Sequence, residues 1–384
     1  MKGNTPSSLV MLAAGGTGGH MFPAEALARE LLKRGLSVCL VTDKRGGRFS
    51  AEMDGIPVYR ISASGLGKSL FAKIKGAFDM GIGTFQAWAK IRQVKPALVV
   101  GFGGYPSVPT VFAASRLGVP VMLHEQNAIA GRANKILSPL AKAVATGFAN
   151  VKGLGNARMV LTGNPVRPAI CALHDQPYPP IAEGGELKIL VMGGSLGATI
   201  FSEVVPKAIK LLPAASRQRL VIHQQCRQAD IDAVQQSYAE NGVQVELATF
   251  FHDVPERLAA CHLVICRSGA STVSELAAAG RPAILVPYPH AATGEQKANA
   301  EALAENGGAW LIPQNSFTPE ALAVRLESLL NLPATLPKTA AAAKSLARPN
   351  AARKLADLAC DIIGISQERT PPDDSGKITN RLVA

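Results

Sequence analysis

The chain contains 384 residues, of which 47% are hydrophobic and 18% are charged, enough apolar material for the cores of two or three domains. No apolar run reaches the ~18 residues that a membrane-spanning helix needs, and the polar stretch Met1–Ser8 does not resemble a signal peptide. The composition therefore argues against an integral membrane or secreted protein and predicts a cytoplasmic one.

The positive charge is concentrated in one half of the chain. Residues 1–165 hold 20 lysines and arginines against 7 acidic residues, a net charge of +13, whereas residues 166–384 hold 20 against 21. Such a basic half is typical of chains that bind nucleic acid, an anionic membrane surface or an acidic substrate. The six cysteines form no C-x-x-C pair, which disfavours a disulfide framework and a zinc site.

Short apolar runs alternate with helical patterns along the whole chain, and this alternation predicts doubly wound parallel sheets. In the first half we predict strands at Leu9–Ala14, Val38–Thr42, Val58–Ile61, Ala97–Gly101, Val119–Leu123, Ala143–Thr146 and Arg158–Thr162. In the second half we predict strands at Leu187–Met192, Leu220–His223, Val243–Phe250, Leu263–Cys266, Ala283–Val286 and Trp310–Ile312. The sequence thus predicts an α/β protein with two facing Rossmann-like domains, whose cleft carries the site.

The proline- and glycine-rich stretch Asn164–Glu186 contains the predicted domain boundary. We therefore divide the chain into a first domain, residues 1–165, and a second domain, residues 166–348. A final helix is expected near Ala351–Ile363, within residues 349–365, and the polar residues 366–384 are expected to be disordered.

The loop Gly15–His20 joins the first strand to a helical pattern that begins at Ala24. Its glycines allow close approach to a ligand, and the following helix N-terminus favours a phosphate. The strict dinucleotide fingerprint needs a third glycine, which this loop lacks. Asp43 could still serve as a ribose-binding acid, so a nicotinamide-dependent oxidoreductase stays an alternative.

The segment from Gly65 to Val94 carries an apolar stripe with three- and four-residue spacing, in which Phe78, Phe85 and Trp88 are prominent. Seven basic residues and one acidic residue accompany the stripe over residues 60–95. The pattern fits either a packed helix with a solvated basic face or a membrane-contact surface. Three glycines predict an interrupted helix; they are Gly76, Gly81 and Gly83.

Polar motifs follow several predicted strands of the first domain. Tyr105 lies in a glycine-rich loop, and His124–Asn127 follows the fifth strand, where the alternation of side chains places His124 and Gln126 on one face. Arg167 lies at the domain junction and could reach a phosphate across the cleft.

The second domain contains two phosphate-type loops. Gly193–Ser195 follows its first strand, and Cys266–Gly280 combines a strand end, a turn of small residues and a helix that closes at Gly280. Glu275, about one turn inside that helix, could accept both hydroxyls of a ribose, or could merely complement the helix dipole.

Six motifs occur in order: Gly-Gly-Thr-Gly-Gly-His, Gly-Gly-Tyr-Pro-Ser, His-Glu-Gln-Asn, Gly-Asn-Pro-Val-Arg, Gly-Gly-Ser-Leu-Gly-Ala and Arg-Ser-Gly-Ala-Ser-Thr-Val-Ser-Glu. In this respect the chain resembles the MurG family of bacterial peptidoglycan glycosyltransferases. The resemblance implies a GT-B fold and an inverting transfer of N-acetylglucosamine from UDP-N-acetylglucosamine to lipid I, the undecaprenyl-linked muramyl-pentapeptide. It also implies catalysis without a bound metal and without a cofactor.

The resemblance further implies roles for individual residues. His20 and Glu125 become the rival candidates for the catalytic base, and Tyr105 and His124 become acceptor-binding residues. The residues expected to bind UDP-N-acetylglucosamine are Thr17, Gly18, Gly19, Asn127, Arg167, Ser195, Phe251, Arg267, Ala270, Ser271, Thr272, Glu275 and Gln296.

The resemblance also implies a peripheral protein on the cytoplasmic face of the inner membrane, which it contacts through Phe78, Phe85 and Trp88. The expected partners are the anionic membrane surface and other cell-wall synthesis or division proteins, without nucleic acid. The alternatives are another GT-B glycosyltransferase, a UDP-sugar epimerase and the nicotinamide-dependent oxidoreductase. A nucleic-acid-binding module is disfavoured, because only 5% of the residues are aromatic.

Overall fold

A computed structural model describes residues 8–15, 18–44, 55–65, 69–194 and 198–365. The strands in these segments are β1 (Leu9–Ala13), β2 (Ser37–Thr42), β3 (Val58–Arg60), β4 (Leu98–Gly101), β5 (Val121–Glu125), β6 (Ala143–Thr146), β7 (Met159–Leu161), β8 (Leu187–Met192), β9 (Leu220–Gln225), β10 (Gln244–Ala248), β11 (Leu263–Cys266), β12 (Ala283–Leu285) and β13 (Ala309–Leu311).

The helices are α1 (Gly18–Lys33), α2 (Leu70–Val94), α3 (Ser107–Arg116), α4 (Arg132–Leu137), α5 (Pro168–Cys171), α6 (Thr199–Leu211), α7 (Ala214–Arg217), α8 (Ile231–Glu240), α9 (Val254–Ala260), α10 (Ala270–Ala279), α11 (Glu295–Ala304), α12 (Pro319–Asn331), α13 (Thr335–Ser345) and α14 (Ala351–Ile363). Among the described helices, none is both long and apolar enough to cross a lipid bilayer.

Within the described residues the strands form two sheets, and every strand pairing in both is parallel. The first sheet has the order β3-β2-β1-β4-β5-β6-β7, and the second has the order β10-β9-β8-β11-β12-β13. In each sheet the order reverses beside the first strand of its half, which is the switch point where ligands bind in doubly wound folds. The predicted fold, two Rossmann-like units in the GT-B arrangement, is confirmed.

Alternating side chains of the strands build a core on both faces of each sheet. Val10 and Leu12 of β1 pack in one buried cluster with α1, whereas Met11 between them packs in another cluster on the opposite face. In the second domain, Ile189 and Leu190 of β8 divide in the same way between two clusters. Because both faces are covered, the strands read as continuous apolar runs in the sequence.

The last helix, α14, returns to the first domain. Its residues Leu355 and Ala359 lie in the same buried cluster as Leu27 of α1, and Asp357 forms an ion pair with Arg34 at 2.9 Å. The chain therefore passes between the domains twice. The two passages touch where Gly163, with a φ of 83°, lies against Arg348 so closely that a side chain at 163 would collide with it.

Two helix predictions were wrong in detail. Helix α1 begins at Gly18 rather than at Ala24, because the buried side chain of Met21 and the contacts of His20 offset the poor helix propensity of two glycines. Helix α2 runs without interruption from Leu70 to Val94. Gly83 in this helix is needed for contact, since a Cβ there would collide with the carbonyl of Ser62.

Candidate active site in the interdomain cleft

The carboxyl ends of the two sheets face each other. Residues that follow strands of the first domain form hydrogen bonds with helices of the second domain. The backbone N–H of Ala128, after β5, donates to Asn299 Oδ1 in α11 at 2.8 Å. Nδ2 of Asn164, after β7, donates to Ser274 Oγ in α10 at 3.0 Å. In doubly wound sheets this edge is where ligands bind, so the cleft between these contacts is the candidate site.

His20 lies in the first turn of α1 and rests on a platform of two glycines. Gly103 and Gly104 have φ values of 93° and 76°, and Cβ atoms added to them would lie 3.0 Å and 3.4 Å from ring atoms of His20. Their positive φ and the close approach both exclude ordinary side chains. The loop after β4 therefore forms one wall of the His20 position.

The imidazole of His20 has unused hydrogen-bonding capacity, because its Nδ1 is buried and has no partner among the residues that the structure describes. Burial lowers the pKa of His20 below its ordinary value, while the charge of Glu125 and hydrogen bonds with Gln126 and the Phe102 backbone act in the opposite direction. A neutral imidazole at neutral pH can accept a proton, as a general base must.

His124 is fully buried and bonds to protein in this structure, and its contact with the acceptor stays a prediction. Its Nδ1 accepts a hydrogen bond from Gln126 Nε2 at 2.9 Å, so its Nε2 carries the proton that faces the Gly163 carbonyl at 3.4 Å. Burial lowers the pKa of His124 to about 4. The neutral side chain thus links β5 to the domain junction by a hydrogen bond.

Glu125 is also buried, and its carboxylate accepts several hydrogen bonds from its own domain. The donors are the backbone N–H groups of Asn127 at 2.9 Å and Gly131 at 2.9 Å, together with the Nδ2 groups of Asn127 at 3.3 Å and Asn134 at 2.8 Å. These bonds hold the loop between β5 and α4. Since its lone pairs are occupied, the geometry favours His20 over Glu125 as the base.

The other first-domain residues lie around His20. Tyr105 directly follows the glycine platform and is 46% exposed. Gly18 and Gly19 form the start of α1, and a Cβ at Gly19 would meet no atom within 4 Å. Thr17 and Ser195 lie outside the described residues.

On the second domain, the N-terminus of α10 is open. Its N-cap residue is Gly269, which has extended backbone and no side chain to satisfy the first N–H groups. Ala270, Ser271 and Thr272 form the first turn. Their backbone N–H groups, the two hydroxyls and the helix dipole together offer a site for an anion such as a diphosphate.

Glu275 lies one turn further along α10 and pairs with Arg167 at the domain junction, where Arg167 Nε is 2.9 Å from Glu275 Oε1. Burial raises the pKa of Glu275, while the hydrogen bond and charge of Arg167 lower it. The arrangement places a carboxylate beside the open helix end, where it could accept ribose hydroxyls.

Arg267 and Gln296 support the walls of this pocket. The Nη1 of Arg267 donates to the carbonyl of Val286 at 3.0 Å, and its Nη2 donates to Gln314 Oε1 at 2.7 Å. Gln296 Oε1 accepts the backbone N–H of Tyr288 at 2.9 Å. Both side chains hold the loop after β12 in place. They thus contribute to the wall of the pocket through hydrogen bonds to other protein groups.

Phe251, after β10, is only 5% exposed. The guanidinium of Arg257 lies 4.0 Å from its ring centroid, and two carboxylates hold that guanidinium in turn, those of Glu246 and Asp253. The ring can border a nucleobase only with its edge or its uncovered face.

Sequence reasoning counted Asn299 among possible sugar-binding groups but did not identify the bonds that Asn299 and Ser274 form across the domain boundary. A signal for Asn299 existed, because asparagine is a poor helix former inside the alanine-rich helix α11. Its partners could not be found without the three-dimensional arrangement.

Known families match both halves of the chain. Residues 10–146 match the glycosyltransferase family 28 N-terminal domain, and residues 188–357 match the glycosyltransferase family 28 C-terminal domain. A relative from Rhodospirillum centenum, named UDP-N-acetylglucosamine–N-acetylmuramyl-(pentapeptide) pyrophosphoryl-undecaprenol N-acetylglucosamine transferase, is 55% identical over 95% of this chain and 97% of its own length. A relative from Paramagnetospirillum magneticum with the same name is 48% identical over 97% of this chain and its full length.

The crystal structure of MurG from Acinetobacter baumannii is similar as well, with 36% identity, a TM-score of 0.77 and coverage of 91% of this chain and 98% of that one. The chain belongs to the MurG family. A putative UDP-N-acetylglucosamine 2-epimerase from Listeria monocytogenes has a TM-score of 0.68 at 16% identity, covering 94% of this chain and 98% of that one. That likeness shows the fold alone, and membership of the MurG family decides against the epimerase and oxidoreductase alternatives.

Proposed function

We propose that the chain transfers N-acetylglucosamine from UDP-N-acetylglucosamine to the C4 hydroxyl of the muramyl sugar in lipid I, forming lipid II with inversion at the anomeric carbon. The observation that carries this proposal is identity of 48–55% to transferases of this name over almost the whole chain. Two features of the cleft support the proposal: the pKa of His20 is lowered by burial, as suits a base, and the N-terminus of α10 can accept the leaving diphosphate.

The chemical step divides between the domains. The acceptor hydroxyl oxygen attacks the anomeric carbon, and the imidazole of His20 takes the hydroxyl proton. The bond between the anomeric carbon and the phosphate oxygen breaks, and its electron pair leaves with UDP. The open N-terminus of α10, at Ala270–Thr272, stabilises the charge that grows on the diphosphate, a contribution of several kcal/mol in such sites.

The donor occupies the second domain, residues 166–348, in this proposal. Glu275 accepts the ribose hydroxyls, which requires that the ribose compete with Arg167 for the carboxylate. Arg167 is 44% exposed and can then turn towards the phosphates. Ser195 and Thr17, outside the described residues, remain proposed donor contacts.

The first domain, residues 1–165, faces the acceptor and the membrane. On α2 the side chains of Phe78 and Phe85 are each 69% exposed, and Ile74 is 62% exposed. Phe112 of α3 adds to the same surface, since it lines a shallow groove with Phe85 and Trp88. Exposed apolar residues on a helix with a basic surround fit a surface that lies in the headgroup region.

Basic side chains frame this apolar surface. The guanidinium of Arg92 lies 4.7 Å from the Trp88 ring centroid, and that of Arg116 lies 5.0 Å from the Phe112 ring centroid. Together with the net charge of +13 on residues 1–165, they favour the anionic lipids of a cytoplasmic leaflet. We therefore place the protein peripherally on the cytoplasmic face of the inner membrane, where lipid I presents its head group.

A transfer assay tests the proposed reaction. The full chain is incubated with UDP-N-acetylglucosamine and a short-chain lipid I analogue, and both UDP release and the disaccharide product are measured. We expect the two to form in equal amounts, with a β-linkage in the product. Release of UDP without disaccharide, or no reaction with this acceptor, would refute the proposal.

A further inference from the structure

Asn299 of α11 is fully buried at the point where the two domains meet. Its Oδ1 accepts the backbone N–H of Ala128 at 2.8 Å. Its Nδ2 donates to Asn127 Oδ1 at 3.1 Å and to the Ser268 carbonyl at 3.2 Å. One side chain thus joins the loop after β5 in the first domain to the loop before α10 in the second.

The orientation of this amide is determined by its partners. A flipped Asn299 would place its NH₂ group against the Ala128 N–H and its oxygen against two other oxygens, so only one orientation satisfies all three contacts. A buried side chain with both N–H groups engaged and its oxygen occupied is rigid, because each lost bond would leave a buried polar group unpaired.

Asn127 is held from both sides as a result. Its Nδ2 donates to Glu125 of its own domain at 3.3 Å, and its Oδ1 accepts from Asn299 of the other domain. Glu125 in turn is bound by Asn134. A continuous row of hydrogen bonds therefore runs from α4 through Asn127 to Ser268.

We propose that Asn299 is a positioning residue, which orients the Asn127 amide towards the donor sugar and aligns the acceptor side of the cleft with the donor side. This inference rests on the proposed function, since it gives Asn127 a role in the sugar transfer. Asn299 itself touches neither substrate. It acts only when the two domains meet, because its three contacts belong to both.

A double-mutant cycle tests this role in the transfer assay, with wild type, Asn127→Ala, Asn299→Ala and the double variant. If Asn299 acts through Asn127, each single variant lowers kcat by tenfold or more, and the double variant loses no more than the worse single one. The Kd for UDP should stay within twofold of wild type, because the α10 contacts and Glu275 are unchanged; this also shows that the second domain is folded.

Asn306→Ala is the matched control. Asn306 follows α11, and its Nδ2 donates to Ala342 at 2.8 Å within the second domain, so we expect kcat within twofold of wild type. Asn299→Asp serves if the alanine variant fails to fold: it keeps the size and the acceptor for Ala128, but it sets an oxygen against Asn127 Oδ1, and kcat should again fall at least tenfold.

Multiplicative losses in the cycle, or an Asn299→Asp variant with wild-type kcat, would overturn the positioning role. A wild-type chain that transfers no sugar would instead refute the proposed function. The two failures are therefore distinguishable.

Discussion

In each domain a glycine-containing loop leads from a central strand into a helix, α1 after β1 and α10 after β11, but the two helix ends carry different chemistry. The first turn of α1 holds His20, whose ring is pressed against Gly103 and Gly104. The first turn of α10 holds small residues behind an N-cap glycine. Two helices at corresponding places in the two domains thus carry different side chains, which we propose serve as a proton acceptor in the first domain and as an anion site in the second.

The difference shows why a glycine loop alone is weak evidence for a phosphate site. An open helix N-terminus stabilises negative charge, but a buried imidazole beside it favours its neutral form and, in the proposed mechanism, works as a base. In this proposal the side chains in the first turn, rather than the glycines, distinguish the substrates of the two loops.

Removal of the His20 imidazole should remove the proton acceptor that we propose for the first domain. We expect His20→Ala to lower kcat by about 10²- to 10⁴-fold, the usual contribution of a general base. The Kd for UDP should not change, since α10 is untouched. Single-turnover kinetics and UDP titration measure the two quantities, and a variant that keeps kcat and only raises the acceptor KM would exclude His20 as the base.

Loss of the Glu275 carboxylate should instead weaken binding of the donor to the second domain. For Glu275→Gln we expect the KM for UDP-N-acetylglucosamine to rise by about 10- to 100-fold, the equivalent of the 1.5–3 kcal/mol of a hydrogen bond to a charged group. The kcat should fall much less. Initial rates at varied donor concentration measure both constants. A donor with 2′-deoxyribose in place of ribose should have a higher KM than the natural donor for wild type, but the two donors should have similar KM values for the variant. Equal KM values of wild type and variant for the natural donor would argue against a ribose contact.

The proposed membrane surface, which belongs to the first domain, gives another test of the difference between the domains. The double variant Phe78→Ser and Phe85→Ser should lower affinity for anionic vesicles by about tenfold for each phenylalanine, from lost burial of 1.5 kcal/mol or more per ring. Val324→Ser is a suitable control, since Val324 is 70% exposed on α12 of the second domain. Vesicle sedimentation at two salt concentrations measures the effect, and equal loss in the control would contradict a dedicated surface.

The dependence of kcat/KM on pH tests which residue is the base. Because burial lowers the pKa of His20, the base is neutral above that pKa, and kcat/KM should rise with pH through a limb below about pH 6.5, the ordinary histidine value. It should then be level through neutrality. The limb should persist in Glu125→Gln, and its disappearance there would make Glu125 the titrating base.

All thirteen described strands could be predicted from the sequence. The inner strands such as β4 and β11 are buried throughout and read as unbroken apolar runs, whereas the shorter edge strands β3 and β7 are more exposed and were recognised by their place in the alternation of strands and helices. The helix that ends at Gly280 was predicted correctly as well, since this glycine has the left-handed conformation of a C-cap. The start of α1 was missed, because two glycines obscure a helix end that tertiary contacts stabilise.

The site could be predicted in its residue types but not in its contacts. His20 and Glu275 stood out as titratable groups beside loops, whereas the bond between His124 and Gly163 joins elements far apart in the chain. The bonds that occupy Glu125 are local, but they depend on the path of the loop between β5 and α4. Asn299 shows the limit most clearly, because two of its three partners lie about 170 positions away.

The return of α14 to the first domain means that two chain passages connect the domains, and the two passages touch at Gly163 and Arg348. Two adjacent connections restrict the relative rotation of two domains more than a single linker does. Any movement that separates His20 from the N-terminus of α10 must therefore bend the chain at both passages.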